Sequence, residues 1–255
     1  MIEFDSVTKD YAGRRAVGPL SLRVAEGEFV ALLGGSGCGK TTTLKLINGL
    51  VTPTTGAIRI AGVKVGEEPL HSLRRRIGYV FQEVGLFPHM TIAENLAIGP
   101  RLAGWDRRRT AERVAKLLDL VALPAESGPR LPATFSGGQR QRVGVARALA
   151  AGPKVMLMDE PFGALDPITR DALGRDYRAL HERLGLTTVM VTHDVMEALL
   201  LADRIVVMDA GLIRAVGTPR DLMGAGDDPV VCALMETPRR QARRLEALAK
   251  GLANG

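Results

Sequence analysis

Two cysteines in 255 residues, neither at a metal-ligating spacing, exclude a disulfide-stapled scaffold and a zinc ribbon. Aromatic residues are scarce as well, at 4% with a single tryptophan. No run interleaves them with basic side chains as stacking on single-stranded bases requires, so nucleic acid is not expected as a partner. Nowhere do uninterrupted apolar residues approach the roughly 20 that a membrane-spanning helix needs. Met1 leads straight into a strand-like segment, so no secretory leader is expected and a cytosolic setting is the default. What is there is a balanced globular composition, 46% hydrophobic and 24% charged. That suits one large domain, or a domain with a smaller attached lobe. The formal net charge of +6 is compatible with nucleic acid, an anionic membrane surface or nucleotide alone.

The most informative stretch is Gly34-Gly35-Ser36-Gly37-Cys38-Gly39-Lys40-Thr41. An apolar run, Glu28 to Leu33, precedes it and reads as a fully buried strand; Thr42 to Asn48 follows as an amphipathic helix. Strand, Gly-x-x-x-x-Gly-Lys-Thr and helix together make a phosphate cradle, because glycines let successive N–H groups turn inward on an anion. The helix N-terminus adds to that field. Lys40 then reaches the β- and γ-phosphates, and the Thr41 hydroxyl ligates Mg²⁺. Cys38, at the same helix start, is either a thiolate-prone residue or small packing.

Ile2 to Val7 alternates in polarity and reads as an edge-type strand, Lys9 to Gly13 as a turn, and Ala16 to Val24 as an antiparallel return. Tyr11 is exposed in this reading, and either stacks on an adenine ring or packs as an ordinary half-buried tyrosine. Thr52 to Gly56 is a turn, Ala57 to Gly62 a strand, and Ile77 to Gln82 a further strand. Ligands of open α/β sheets bind beyond strand carboxyl ends, so Gln82 is placed to sense Mg²⁺ or the γ-phosphate.

From Thr91 the spacing turns helical, over Thr91 to Gly99, Arg107 to Leu120 and the stretch before Pro132. This reads as a helical lobe, 91–152, inserted into an α/β core of 1–90 and 153–218, with 219–255 a helical extension. Arg74 to Arg76 and Arg107 to Arg109 read as solvated faces. Ser136-Gly137-Gly138-Gln139 opens a helix whose serine cap and glycines leave first-turn N–H groups for a second anion; a plainly capped helix is the alternative.

Lys154 to Glu160 is an apolar strand ending in two carboxylates. Neighbours on a strand point to opposite sides, which predicts two roles. Asp159 holds Mg²⁺ through its water shell, and Glu160 orients and deprotonates the attacking water. Thr187 to Thr192 is the next buried strand, with His193 at its carboxyl end facing the γ-phosphate; His71, His89 and His181 have no such placement. Residues 204–208 and 212–216 form a hairpin. In the C-terminal helix Arg239, Arg240, Arg243 and Arg244 oppose Leu245, Leu248 and Leu252, a face that docks on a partner or an anionic surface, or belongs to a loosely attached terminal helix.

The phosphate loop, Gln82, Phe135 to Gln139 with Arg140-Gln141-Arg142, the strand ending in Asp159-Glu160, Ala164-Leu165-Asp166 and His193 occur in the order of an ATP-binding cassette (ABC) transporter ATPase, which the chain resembles from Ile2 to Pro219. The resemblance implies an α/β fold: a phosphate-loop NTPase core sheet with an N-terminal antiparallel β subdomain and an inserted helical subdomain. It implies ATP and Mg²⁺ as cofactors, and a head-to-tail homodimer in which the nucleotide lies between residues 34–42 of one copy, Thr42 included, and Ser136 to Gln139 of the other. By the same resemblance Tyr11 stacks on adenine, Gln82 couples the helical lobe to Mg²⁺, and Asp166 contacts the opposite subunit. Closure on ATP and opening after hydrolysis would drive transmembrane permease subunits, with a solute-binding protein as an indirect partner and the chain peripheral on the cytoplasmic face of the membrane. Two departures stand out: Phe135 replaces a usual leucine, and Gly163 a usual serine.

Ile77 to Asn95 and Phe162 to Arg170 further resemble ATPases of osmoprotectant importers for glycine betaine, choline or carnitine; importers of amino acids, polyamines or alkanesulfonates share much of the pattern. Several such ATPases carry C-terminal CBS domains, and regulation of that kind is not expected in a chain of this length. A non-transport ABC protein acting on nucleic acid would carry a coiled-coil insertion or a second cassette, and a phosphate-loop kinase leaves Ser136 to Gln139 without a role.

Overall fold

The computed structural model describes residues 1–224 and 228–252, except the side chains of residues 245 and 248–252. Its strands in chain order are β1 (Ile2–Tyr11), β2 (Arg14–Val24), β3 (Phe29–Leu33), β4 (Thr55–Ile60), β5 (Val63–Lys64), β6 (Ile77–Val80), β7 (Val155–Asp159), β8 (Thr187–Thr192), β9 (Arg204–Asp209) and β10 (Leu212–Gly217). The helices are α1 (Lys40–Ile47), α2 (Leu70–Arg75), α3 (Ile92–Leu102), α4 (Arg107–Leu120), α5 (Gly137–Leu149), α6 (Pro167–Leu184), α7 (Val195–Leu201), α8 (Pro219–Gly224) and α9 (Pro229–Leu252).

Two sheets result: an antiparallel one in the order β2-β1-β4-β5, and a mixed one in the order β10-β9-β3-β8-β7-β6. In the second, β9, β3, β8, β7 and β6 run parallel, and only β10 returns antiparallel. Every residue of β3, β7 and β8 is buried, in keeping with the apolar runs of β3 and of β7 up to Asp159; β8 buries three threonines beside Val189, Met190 and Val191. Their alternate side chains serve two cores. Ala31, Met156, Met190 and Val207 join the helical side, packed with Leu96, Leu117, Val143 and Tyr177. Leu32, Leu157, Val191 and Val206 join the other side, packed with α1 and the antiparallel sheet through Leu44, Phe4 and Ile58. Truncating Leu32 to alanine would cost about 2–5 kcal/mol, transfer and cavity together. The consequence for function is positional: the carboxyl ends of β3, β8, β7 and β6 lie side by side at one edge of a sheet anchored on both faces.

The α/β class with an antiparallel β subdomain and a group of helices α3–α5 is as the resemblance implied; several details differ. β1 is interior, between β2 and β4, because its alternation reports one solvent-facing side and not an edge. Glu3 and Asp5 on that side pair with Arg23 and Arg59 of the flanking strands. The turn expected over Lys9 to Gly13 shrinks to Ala12-Gly13, both at positive φ (46° and 78°), a two-residue hairpin that keeps Tyr11 in the strand. Thr55 and Gly56 belong to β4, where Thr55 pairs with Thr8 through a 2.8 Å hydroxyl contact. The strand expected to reach Gln82 ends at Val80, and α1 begins at Lys40, two residues early.

The stretch before Pro132 is not an α-helix but short 3₁₀ turns at Ala125–Ser127 and Pro132–Thr134. The carbonyls of Gly128 and Arg130 instead accept from Ala93 and Ile92, satisfying first-turn donors of α3. Arg74 to Arg76 are exposed, as a solvated face requires, and Arg74 has a further role: its Nε and Nη2 donate to the carbonyls of Asn48 and Gly49, closing the end of α1. α2, α6, α7 and β5 had no counterpart in the sequence reading. Beyond Pro219 the described residues form α8 and α9; Val231 and Met235 of α9 are buried and Arg239 donates to Met223 O, so the start of α9 is docked. Arg240, Arg243 and Arg244 are exposed; the side chains of Leu245, Leu248 and Leu252 lie outside the described residues.

Candidate functional site

The turn after β3 wraps around the Lys40 ammonium. Its Nζ donates to Gly34 O and Gly35 O, each at 2.8 Å, and the side chain is 6% exposed. Two glycines are required by close approach. A Cβ on Gly34 would lie 2.1 Å from Met208 O. One on Gly39, at φ +101°, would lie 2.5 Å from Ala16 O. Gly211 N donates to Cys38 O and Gly18 N to Gly211 O, so the loop is pinned to the β9–β10 hairpin and to β2. Cys38 packs as a small core residue, 5% exposed, with Sγ 3.6 Å from Lys40 Nζ; of its two readings the packing one describes its place.

The other strand ends converge on this loop. Thr41 Oγ1 donates to Asp159 Oδ1 at 3.0 Å, joining α1 to the end of β7. Burial raises the Asp159 carboxyl above the ordinary carboxylate range, against the Thr41 bond and the Lys45 charge, which lower it. Tyr79 of β6 sits beside Asp159, its phenol pushed up first by burial and then by that carboxylate. Glu160 turns away from Asp159 at φ +45°, a conformation that costs a non-glycine residue about 1–3 kcal/mol. Its Oε2 accepts from Gln82 Nε2 at 3.2 Å and lies 3.1 Å from His193 Nδ1. Oε1 has no hydrogen-bond partner among the described residues, and Glu160 itself lines a cleft.

Ser36, Gly37, Gly39, Lys40, Thr41, Thr42, Gln82, Glu160 and His193, with Ala16 of β2, line one cleft. Thr41, Asp159 and Gln82 supply a hydroxyl, a carboxylate and an amide oxygen as candidate oxygen donors. That set fits Mg²⁺ only with further oxygens from phosphate and water, since no group of three His, Cys, Asp or Glu among the described residues can hold a metal. Tyr11, Ser136 to Gln139 and Asp166 stand outside the cleft. Tyr11 is 46% exposed at the end of β1, its ring under Lys9 Nζ at 4.9 Å. Ser136 and Gln139 form a reciprocal capping box at the start of α5. The amides of Gly137 and Gly138 take no part in it, and a Cβ on Gly138 would meet Thr169 at 2.6 Å. Asp166 caps α6 through Thr169 N.

Phe135 is buried in the helical core with the Arg130 guanidinium over its ring at 4.4 Å, an apolar anchor in place of leucine. Gly163 stands 3.7–3.8 Å, measured from an added Cβ, from Glu160 and His193. Ala16, Tyr79 and Arg170 were not foreseen. Ala16 carries no chemical signal, and Tyr79 shares β6 with the run that pointed to Gln82 but announces nothing by itself.

A parallel sheet with a glycine-rich loop after β3 and converging polar side chains at its carboxyl edge defines a phosphate-loop nucleotide-binding protein. Residues 17–163 match the ABC transporter family, and the chain belongs to that family. It is 50% identical over 224 residues to the choline transport ATP-binding protein OpuBA of Bacillus subtilis (strain 168), covering 88% of this chain and 59% of that protein. It is 50% identical over 223 residues to the glycine betaine uptake system ATP-binding protein YehX of Escherichia coli (strain K12), covering 88% and 72%. The chain thus spans 59% of the length of OpuBA. The dimeric post-hydrolysis structure of the ATP-binding cassette MJ0796 with ADP and Pi superposes with a TM-score of 0.78 at 33% identity, over 86% of this chain and 99% of that one.

Proposed function

We propose that the chain is the ATP-hydrolysing subunit of an ABC importer whose solute is a quaternary-amine osmoprotectant, glycine betaine, choline or carnitine. One observation carries the ATPase reading: Lys40, Thr41-Asp159, Gln82-Glu160 and His193 meet at one cleft from four neighbouring strand ends. The backbone of the loop and Lys40 bind the β- and γ-phosphates. Thr41 and Asp159 would hold Mg²⁺, which draws charge off the phosphate oxygens. Glu160 takes the proton of the attacking water at Oε1, while Gln82 and His193 hold Oε2 and so fix the carboxylate's direction.

A second copy, head to tail, would bring Ser136 to Gln139 to the same phosphates. The uncommitted Gly137 and Gly138 amides support that reading, as does the dimeric state of the MJ0796 cassette. The permease would dock in the groove between the core and the helices, where Phe81, Phe87 and Leu102 are exposed beside Gln82. No helix among the described residues is long and apolar enough to cross a membrane, so attachment to the inner face of the membrane would run through that groove. The substrate class rests on the OpuBA and YehX likeness; importers of amino acids, polyamines or sulfonates are the second reading.

The test is reconstitution with the cognate permease and binding protein in liposomes, followed by a labelled-solute screen. ATP-dependent uptake of a quaternary amine, abolished by Glu160→Gln, is the expected result. Uptake confined to a sulfonate or an amino acid would overturn the substrate assignment, and no ATP turnover would overturn the whole reading.

A further inference from the structure

Glu160 and His193 meet across the site, yet they stand on separate loops, after β7 and after β8. The contact is held from behind by a third side chain. We propose that Arg170, in the first turns of α6, is a positioning residue for hydrolysis: it braces the loop following Glu160 against the turn that carries His193.

The guanidinium bonds in two directions. Nη2 donates to Leu165 O at 3.0 Å and reaches Gly163 O at 3.4 Å, both in the loop downstream of Glu160. Nη1 donates to Asp194 Oδ2 at 2.7 Å, and Nε lies 3.8 Å from Glu197 Oε1. Those two acids follow the histidine, Asp194 directly and Glu197 in the first turn of α7. Asp194 Oδ1 accepts from Met196 N and Glu197 N to start α7, and Asp194 N donates to Thr192 Oγ1. Thr192 Oγ1 donates to Glu197 Oε2 at 2.6 Å. Both chain neighbours of His193 are therefore tied, directly or through Glu197, to Arg170.

Three physical points make this more than packing. Glu197 is only 7% exposed, and its Oε1 and the Arg170 Nε 3.8 Å away are both buried without a hydrogen bond, so each is the other's charge partner as well as part of the brace. A planar guanidinium can serve two loops at once in fixed directions, whereas an ammonium on a flexible stem cannot reproduce that fork. Arg170 also lies outside the residues lining the nucleotide cleft, so its influence passes through Glu160 and His193 and not through phosphate binding. A shift of about 1 Å between reacting groups can cost about a hundredfold in rate.

The inference rests on the assignment of Glu160 and His193 made above. Its test is a double-mutant cycle on the full chain, with phosphate release measured against ATP concentration for Arg170→Gln and Arg170→Lys, each alone and combined with His193→Ala. Arg170→Gln is expected to lower kcat about 10- to 100-fold while KM for ATP stays within about threefold. Arg170→Lys, which keeps the charge beside Glu197 and so protects the fold, is expected to recover less than about a third of the loss. In the His193→Ala background the further loss is expected to shrink below about threefold, because the two residues act as one unit. Equal losses in both backgrounds, or a raised KM with kcat preserved, would overturn the proposal. An active wild type matched by Arg170→Gln overturns this inference alone; a wild type without ATP turnover overturns the reading of the site and this inference with it.

Discussion

Oε2 of Glu160 lies 3.1 Å from Nδ1 of His193, and the two residues follow adjacent parallel strands, β7 and β8, whose ends are level at the sheet edge. Gln82, after β6 on the far side of β7, donates to that same oxygen. One carboxylate oxygen is thus held by two neighbours, while the other accepts no hydrogen bond from the described residues. A static carboxylate with one committed oxygen is suited to take a proton from a water aligned by the phosphates.

Glu160→Gln should therefore keep the contacts and lose the base. Phosphate release is expected to fall about 10²- to 10⁴-fold while ATP is retained. Size-exclusion chromatography with Mg-ATP is expected to show a dimer that persists in this variant and dissociates in the wild type. Wild-type turnover in Glu160→Gln would remove the base assignment.

Lys40 tests the cradle and not the chemistry. Its ammonium is buried and bonded to two loop carbonyls, so Lys40→Ala removes the loop's internal brace together with a cation for the phosphates. A charge-assisted hydrogen bond of this kind is worth about 1.5–3 kcal/mol, so ATP affinity is expected to weaken about 10- to 150-fold. Equilibrium binding of a fluorescent ATP analogue measures it directly, and unchanged affinity would remove Lys40 from the site.

Asp159 predicts a pH effect of definite sign. Burial is the largest influence and raises its pKa. The folded chain takes up this proton at a higher pH than the unfolded chain does, so stability from this group grows as pH falls through that window and is lost as pH rises above it. Above that window the buried carboxylate of Asp159 burdens the ligand-free fold. Asp159→Asn keeps an oxygen for Thr41 and drops the charge. Its melting temperature without ligand is expected to rise about 2–4 °C, equivalent to about 1 kcal/mol, with the gain shrinking on acidification. The Mg²⁺ dependence of nucleotide binding should be lost in the same variant. Differential scanning across pH, with and without Mg-ATP, reads both.

The nucleotide cleft was legible because its residues sit at the ends of elements with strong local signals: a buried strand, a glycine turn, a carboxylate pair. Local pattern also gave the hairpin of β9 and β10, and α4 with its bounds. It failed where a tertiary partner decides the outcome. The polarity of β1 says which face is wet but not that β4 covers its second edge. The 128–130 segment is a turn whose carbonyls serve α3, a partnership that no spacing within 121–132 reveals. Nothing in a line of sequence marks the hydrogen bonds of Arg74 and Arg170, since only the fold brings carbonyls of other turns to their guanidinium groups. Ser136 to Gln139 announce a capped helix start with free first-turn donors, whereas their place against the nucleotide of a second copy follows only from family likeness.

Gly163 and Gly39 separate two reasons for glycine near the site. A side chain on Gly39 would collide with Ala16 O at 2.5 Å and its φ of +101° suits only glycine, so Gly39→Ala is expected to destabilise by about 1–3 kcal/mol and to weaken ATP binding as the loop shifts off β2. Gly163 has no such constraint. Its nearest neighbours to an added Cβ, the Glu160 carbonyl, Glu160 Oε2 and His193 Cε1, lie at 3.7–3.8 Å, ordinary van der Waals contact, and its φ is outside the left-handed region. Gly163→Ala removes backbone freedom from the unfolded chain and is expected to stabilise by about 0.4–1 kcal/mol. Gly163→Ser adds a hydroxyl within reach of the Glu160 carboxylate. Denaturant midpoints of the three variants order them, with Gly39→Ala lowest and Gly163→Ala above wild type. A destabilised Gly163→Ala would show that the loop after Glu160 needs glycine's freedom for closure, a requirement the resting geometry does not impose.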